Sequence, residues 1–202
     1  MSQTDPEEAI VQHALETAGR HGAAQTDVVL VKSESLEARV RGDEIEFVVQ
    51  AREQCLGIRS LVAHPGQAGL SSAVTSTSDL SLEAVTQLAE ETVALARETA
   101  PDPHAGLPDE AFAEEIPDLS LAEPGDRNVS LEARIEDARR AEQAARQADP
   151  RIDNSEGSQV SSQFSRIQYA NTQGFSGAYD SASHSLFSEP VARENGNMQR
   201  DY

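Results

Sequence analysis

The side chains able to do chemistry in this chain are few and scattered. Its five histidines are His13, His21, His64, His104 and His184. A hydrolytic zinc site needs about three His or carboxylate ligands, and its usual helical form sets two His at i and i+4 with a Glu beside the first. No two of the five have that spacing and no His-Glu dipeptide occurs. Each imidazole is therefore expected to be solvated or hydrogen-bonded, and no metal ligand is assigned. Cys55 is the single cysteine, which excludes an internal disulfide framework and any multi-cysteine zinc site. It stands in an alternating strand pattern with no nearby His or Arg cluster, so a buried structural thiol is expected.

Other catalytic patterns are missing as well. The serines include no G-x-S-x-G elbow, and Gly174-Phe175-Ser176-Gly177 has the wrong spacing for one. Neither G-x-x-x-x-G-K-[ST] nor G-x-G-x-x-G is present. Glu90-Glu91 and Glu114-Glu115 read as solvated faces. Asn128-Val129-Ser130 matches a glycosylation acceptor, but Ser130 is better explained as a helix cap. Residue chemistry alone assigns no catalytic residue.

Composition narrows the partners. The chain has 202 residues with 35 acidic against 16 basic, a formal net charge of −19. Such a surface repels phosphate backbones and anionic lipid, so direct nucleic-acid binding is disfavoured. Ser2 to Glu8 is polar and acidic where a secretion signal would be basic and then apolar, and no apolar run of about 18 residues occurs. A soluble cytoplasmic protein with no membrane contact is expected.

Periodicity supplies the elements. Thr4-Asp5-Pro6-Glu7-Glu8 reads as a helix start, followed by Ile10, Val11, Ala14, Leu15 and Ala18 on one face. From Thr26 to Thr75 the period changes to two, broken by turns at Arg41-Gly42-Asp43 and His64-Pro65-Gly66. This predicts an antiparallel meander of about five strands. Ser81 caps a second helix, with Leu80 placed to staple onto Val85 and a stripe of Val85, Leu88, Ala89, Thr92 and Ala96. Ser130 caps a third, Ala-rich helix that Pro150 stops.

Residues 155–202 then return to strands, divided by turn signals at Asn171-Thr172-Gln173-Gly174 and Glu194-Asn195-Gly196-Asn197. Pro190 marks an edge or a bulge. The predicted class is α+β, antiparallel β-meanders with about three helices packed on them. One domain over 1–202 is expected, as a helix-meander unit over about 5–99, a surface connection over about 100–128 and a second helix-meander unit over about 129–202.

Short motifs in constant order then identify a resemblance. They are Ser33-Glu34-Ser35, Val40-Arg41-Gly42-Asp43-Glu44-Ile45-Glu46, Leu56-Gly57-Ile58-Arg59, Ser76-Thr77-Ser78-Asp79-Leu80, Asn154-Ser155-Glu156-Gly157, Ala170-Asn171-Thr172-Gln173-Gly174, His184-Ser185-Leu186 and the tail from Glu194 to Tyr202. Together they resemble the TldD/PmbA family, on its PmbA (TldE) side, also known as modulator of DNA gyrase. The resemblance covers the N-terminal half of such a protein, without the family's C-terminal β domain.

The resemblance implies a two-subunit cytoplasmic zinc metalloprotease acting on unfolded or small polypeptides. A TldD-like partner would carry a His-Glu-x-x-x-His zinc site, and this chain would bind no cofactor and be non-catalytic alone. A stand-alone protein-interaction module and a fragment of a catalytic TldD-like metallopeptidase are the alternatives. Asn154, Ser155, Asn171, Phe175 and Tyr179 are the candidate polypeptide or subunit contacts.

Overall fold

The structure, a computed structural model, describes residues 6–42, 44–109 and 116–202. The Thr4-Asp5 helix cap, Asp43 of the first turn and the Glu114-Glu115 pair lie outside the described residues. Among the described residues, three α-helices, α1 (Pro6–Arg20), α2 (Leu82–Arg97) and α3 (Leu131–Gln147), accompany six strands. The strands are β1 (Gln25–Arg41), β2 (Glu44–Ala63), β3 (Leu70–Thr77), β4 (Ile152–Asn171), β5 (Ser176–Glu194) and β6 (Asn197–Arg200). They form one sheet in the order β3-β2-β1-β4-β5-β6. The α+β class with three helices on antiparallel meanders is thus the observed one.

The strand count of the first meander needs correction. Residues 26–75 form three strands rather than about five, because β1 runs unbroken through Ser33-Glu34-Ser35 and β2 through Gln50 to Cys55. Neither stretch contains the Gly or Pro that would turn the chain, so polar side chains alone do not end a strand. The turns do fall where Gly marks them. Asn195 and Gly196 adopt φ of 52° and 82°, closing the hairpin in which Glu194 faces Asn197.

The chain divides into two compact units. Unit 1 comprises Met1–Lys32, Glu53–Leu119 and Arg166–Tyr179; unit 2 comprises Ser33–Arg52, Ser120–Ser165 and Asp180–Tyr202. Unit 1 has the larger apolar core. Val11, Ala14, Leu15 and Ala18 of α1 meet Val85, Ala89, Val93 and Ala96 of α2 over Val28, Leu30, Leu56, Ile58 and Ala73 of the strands. Leu80 and Leu88 are partly buried against it, Leu80 from the stapling position just before the cap. Ser81 accepts from the Ala84 N–H at 3.3 Å, and the Thr92 hydroxyl inside the stripe donates to the Leu88 carbonyl at 2.6 Å. Cys55 is exposed, not buried as its strand setting suggested. Its neighbour Leu56 faces the core, and alternation turns Cys55 to the other face.

Unit 2 has a small core of Ala38, Val40 and Val160 under Ile135 and Ala138 of α3. Ser130 caps α3 by accepting from Ala133 N–H at 3.1 Å. Polar staples supplement this core. Arg39 donates to the Glu156 carbonyl at 2.6 Å and to Glu189 Oε2 at 2.8 Å, and Arg41 donates to the Ser155 carbonyl at 3.0 Å. From α3 the buried Glu142 accepts the Gly42 N–H on both carboxylate oxygens, at 3.0 Å each.

Gly157 shows why the Asn154-Ser155-Glu156-Gly157 motif ends in glycine. Its φ is +113°, and a Cβ there would come 2.8 Å from the Val40 carbonyl oxygen. Gly157→Ala is expected to destabilise the protein by more than about 1 kcal/mol in chemical denaturation, from both strain and the clash. In unit 1, Ile58→Ala removes a fully buried side chain and is expected to cost about 2–5 kcal/mol by the same measurement.

Candidate functional site

Three of the five residues nominated from sequence belong to unit 1. Asn171 is buried, and its Oδ1 accepts from the N–H groups of Gln173 at 2.9 Å and Phe175 at 3.3 Å. Its Nδ2 donates to the Tyr169 hydroxyl at 3.3 Å, which in turn donates to Asp27 Oδ2 at 3.3 Å. Arg59 grips the same carboxylate, with Nε 3.0 Å from Oδ1 and Nη2 2.5 Å from Oδ2. This bond to Asp27 raises the pKa of Arg59, while burial, ahead of its other influences, raises that of Tyr169. The Phe175 ring leans on Tyr169 with centroids 5.8 Å apart. Asn171 and Phe175 are thus committed to shaping the β4–β5 turn. Tyr179 is exposed on β5.

Unit 1 also presents a strand edge, because β3 ends the sheet. Its register with β2 runs from Leu56↔Thr77 to Ala63↔Leu70. Leu70 exchanges both backbone hydrogen bonds with Asp102, at 3.1 and 3.0 Å, so the peptide groups of Leu70, Ser72, Val74 and Ser76 turn away from β2. Thr99 covers the Ser72 carbonyl at 3.1 Å. The row continues at Val74, which is 68% exposed, and Ser76, with no partner strand among the described residues.

The other two nominated residues belong to unit 2. Asn154 is exposed. Ser155 is buried, accepts from the Gly157 N–H at 2.8 Å and donates to the Glu189 carbonyl at 3.4 Å. Its hydroxyl thereby holds the backbone turn at Gly157 in place.

Sequence reasoning passed over an open cavity of about 310 Å³ in unit 2. Glu34 and Leu36 of β1, Arg52 of β2 and Phe164 of β4 line it, with Arg127 and Val129 beside them. In β1 and β4 these are positions of the same parity as Ala38, Val40 and Val160, so they share the face on which α3 packs. Polar residues at same-face positions of an otherwise apolar row, as at Glu34, were the signal available in the sequence. Arg127 lies over the Phe164 ring at 5.4 Å from its centroid. Arg52 and Arg127 each approach Glu34 Oε1 at 3.8 Å.

The cavity rim is anchored through His184. Its Nε2 lies 3.1 Å from Asp126 Oδ1 and its Nδ1 lies 2.9 Å from the Ser162 hydroxyl. Asp126 Oδ2 accepts the Glu123 N–H at 2.7 Å. That backbone bond, followed by the His184 bond, holds the Asp126 carboxyl below its ordinary value of 3.8. A depressed carboxyl contributes stability above its unfolded pKa and loses it as pH falls through the folded one. Asp126→Asn is therefore expected to flatten part of the acid limb below about pH 3.8, read as denaturation midpoints against pH.

The histidine rings are dispersed: besides His184, His13 meets Thr86 at 2.8 Å, His64 meets Ser71 at 2.8 Å and His21 meets Glu90 at 3.1 Å. Among the described residues, no group of three or more His, Cys, Asp or Glu is placed to hold a metal ion, so these donors do not fit a zinc centre.

Comparison with known proteins agrees with this architecture. Residues 26–96 match the model for PmbA/TldA metallopeptidase domain 1, and residues 124–202 match that for the PmbA/TldA metallopeptidase central domain. Metalloprotease PmbA of Escherichia coli O157:H7 is 37% identical over 100% of this chain and 44% of its own length. The PmbA homologue of Haemophilus influenzae is 34% identical over 95% of this chain and 41% of its own length. The chain thus spans less than half of these curated relatives.

Two solved structures share the fold. The first, called a modulator of DNA gyrase, from Bacteroides thetaiotaomicron, superposes with a TM-score of 0.82 at 23% identity, over 98% of this chain and 44% of that one. TldE from Thermococcus kodakarensis gives 0.74 at 17% identity, over 94% and 40%. Two domain models in their expected order, relatives matched along the full chain and a shared fold lead to one conclusion: the chain belongs to the PmbA/TldD metallopeptidase family, on its PmbA (TldE) side.

Proposed function

We propose that this chain belongs to a non-catalytic, PmbA (TldE)-like subunit that holds extended polypeptide for cleavage at the zinc centre of a TldD-like partner. The outer edge of β3 carries this reading. Val74 and Ser76 offer main-chain donors and acceptors in the spacing of a missing strand. A polypeptide can pair with such an edge only where its own backbone is free, which selects unfolded or small substrates. The dispersed histidines support assignment of the metal to the partner. The net charge of −19 supports a polypeptide ligand over nucleic acid. Among the described residues, no helix is long and apolar enough to cross a membrane. We assign the complex to the cytoplasm on the family relationship.

The test is reconstitution. Mixed with a TldD-like subunit, the protein is expected to form a complex and to make cleavage of an unfolded peptide dependent on both components. A partner that cleaves equally well without it would overturn the reading, and a stable complex without proteolysis would favour an interaction module. Val74→Pro removes an outward N–H at an edge position where proline is tolerated. It is expected to weaken peptide binding several-fold in fluorescence polarisation while leaving the denaturation midpoint nearly unchanged.

A further inference from the structure

We propose that the cavity of unit 2 is a carboxylate-binding subsite for an extended peptide, taking either its C-terminal carboxylate or an acidic side chain. The inference rests on the polypeptide-holding reading and adds the chemistry of the group recognised.

Two guanidinium groups share one carboxylate here. Arg52 and Arg127 both stand 3.8 Å from Glu34 Oε1, beyond hydrogen-bond reach. Each guanidinium has five N–H donors, and none is spent on a hydrogen bond to the described residues. Glu34 is thus a through-space counter-ion to two cations rather than the bidentate partner of either. The other carboxylate on the rim, Asp126, has both oxygens occupied, by His184 and by the Glu123 N–H. A ligand carboxylate can therefore take the paired N–H geometry that Glu34 leaves unused.

The surroundings define the rest of the ligand. Arg127 lies over the Phe164 ring at 5.4 Å, a cation–π contact that helps to place the guanidinium without spending a hydrogen-bond acceptor on it. Leu36 and Val129 add apolar surface for the methylenes that carry a carboxylate. About 310 Å³ accommodates one or two side chains. The two side chains are 84% and 62% exposed, so the cations need give up little hydration. The chain as a whole, at −19, repels a multiply charged phosphate compound more strongly than a single carboxylate. A singly charged group carried on a neutral peptide meets least of that repulsion and gains most from short-range contacts.

The experiment measures binding of a fluorescein-labelled unstructured peptide to the 202-residue chain by polarisation. Four versions carry a free or amidated C-terminus, each with a Glu or a Gln near that end. Neutralising the recognised carboxylate is expected to weaken binding about tenfold, and the arm in which this happens identifies its source. Arg52→Ala and Arg127→Ala should reduce the acidic peptide to the level of the neutral one without changing the neutral one. Glu34→Gln removes the competing carboxylate and should tighten the acidic peptide several-fold, a gain that a purely structural role for Glu34 does not produce.

Equal affinity for all four peptides, unmoved by these variants, would overturn the subsite and leave the β3 edge reading standing. Competition by ATP but not by acetate would overturn the carboxylate assignment. Failure of every peptide to bind would overturn both readings. Val74→Pro, which acts on the edge, should leave the difference between acidic and neutral peptides at the cavity in place.

Discussion

A strand must send successive side chains to opposite faces, so the parity of a residue decides whether it meets a helix, a cavity or solvent. In unit 1 the even positions Val28, Leu30, Leu56 and Ile58 meet α1 and α2 and close into one core. Asp27 and Arg59, at odd positions, find each other on the opposite face, where Tyr169 joins them. In unit 2 the same parity carries Ala38, Val40 and Val160 to α3, and Glu34, Leu36 and Phe164 to the cavity. A one-residue slip in any of these strands would exchange its core face for its polar face, so register is under strong selection by packing.

The two units answer the cost of chain ordering differently. Unit 1 relies on apolar burial, which is non-directional and scales with the area removed from water. Unit 2 buries fewer apolar side chains and ties backbone carbonyls to Arg39 and Arg41. Charge-assisted bonds to carbonyls are directional, and they hold a polar sheet face without requiring it to be dry. On the opposite face, beyond the small core under α3, Arg52, Arg127 and Glu34 stay in water with unspent hydrogen-bonding capacity. The candidate site is thus a consequence of how the unit is held: a face that is fully packed has no groups left to offer.

Much of the fold was legible in the residues. Ser81 and Ser130 announced their helices because a cap is a local hydrogen bond, and Asn195-Gly196 announced its hairpin because two successive positive φ angles favour few residue types. The ordered short motifs were sufficient for the family, and the alternation was sufficient for antiparallel sheet. The lengths of β1 and β2 were not legible, since a polar Ser33-Glu34-Ser35 looks like a break until neighbouring strands are seen to continue its ladder.

Caps, turns and periodicity were therefore settled by the amino-acid sequence, because each depends on residues within a few positions of one another, and family membership was settled by the order of short motifs along the chain. Tertiary structure decided which polar residues are structural and which are available. Asn171 and Ser155 are spent on nearby backbone N–H groups of their own turns. Cys55 is exposed although its strand pattern alone suggested burial, and Glu34, Arg52 and Arg127 converge across 18 and 93 positions of chain. Availability is a property of what packs over a residue, and spacing along a strand does not encode it.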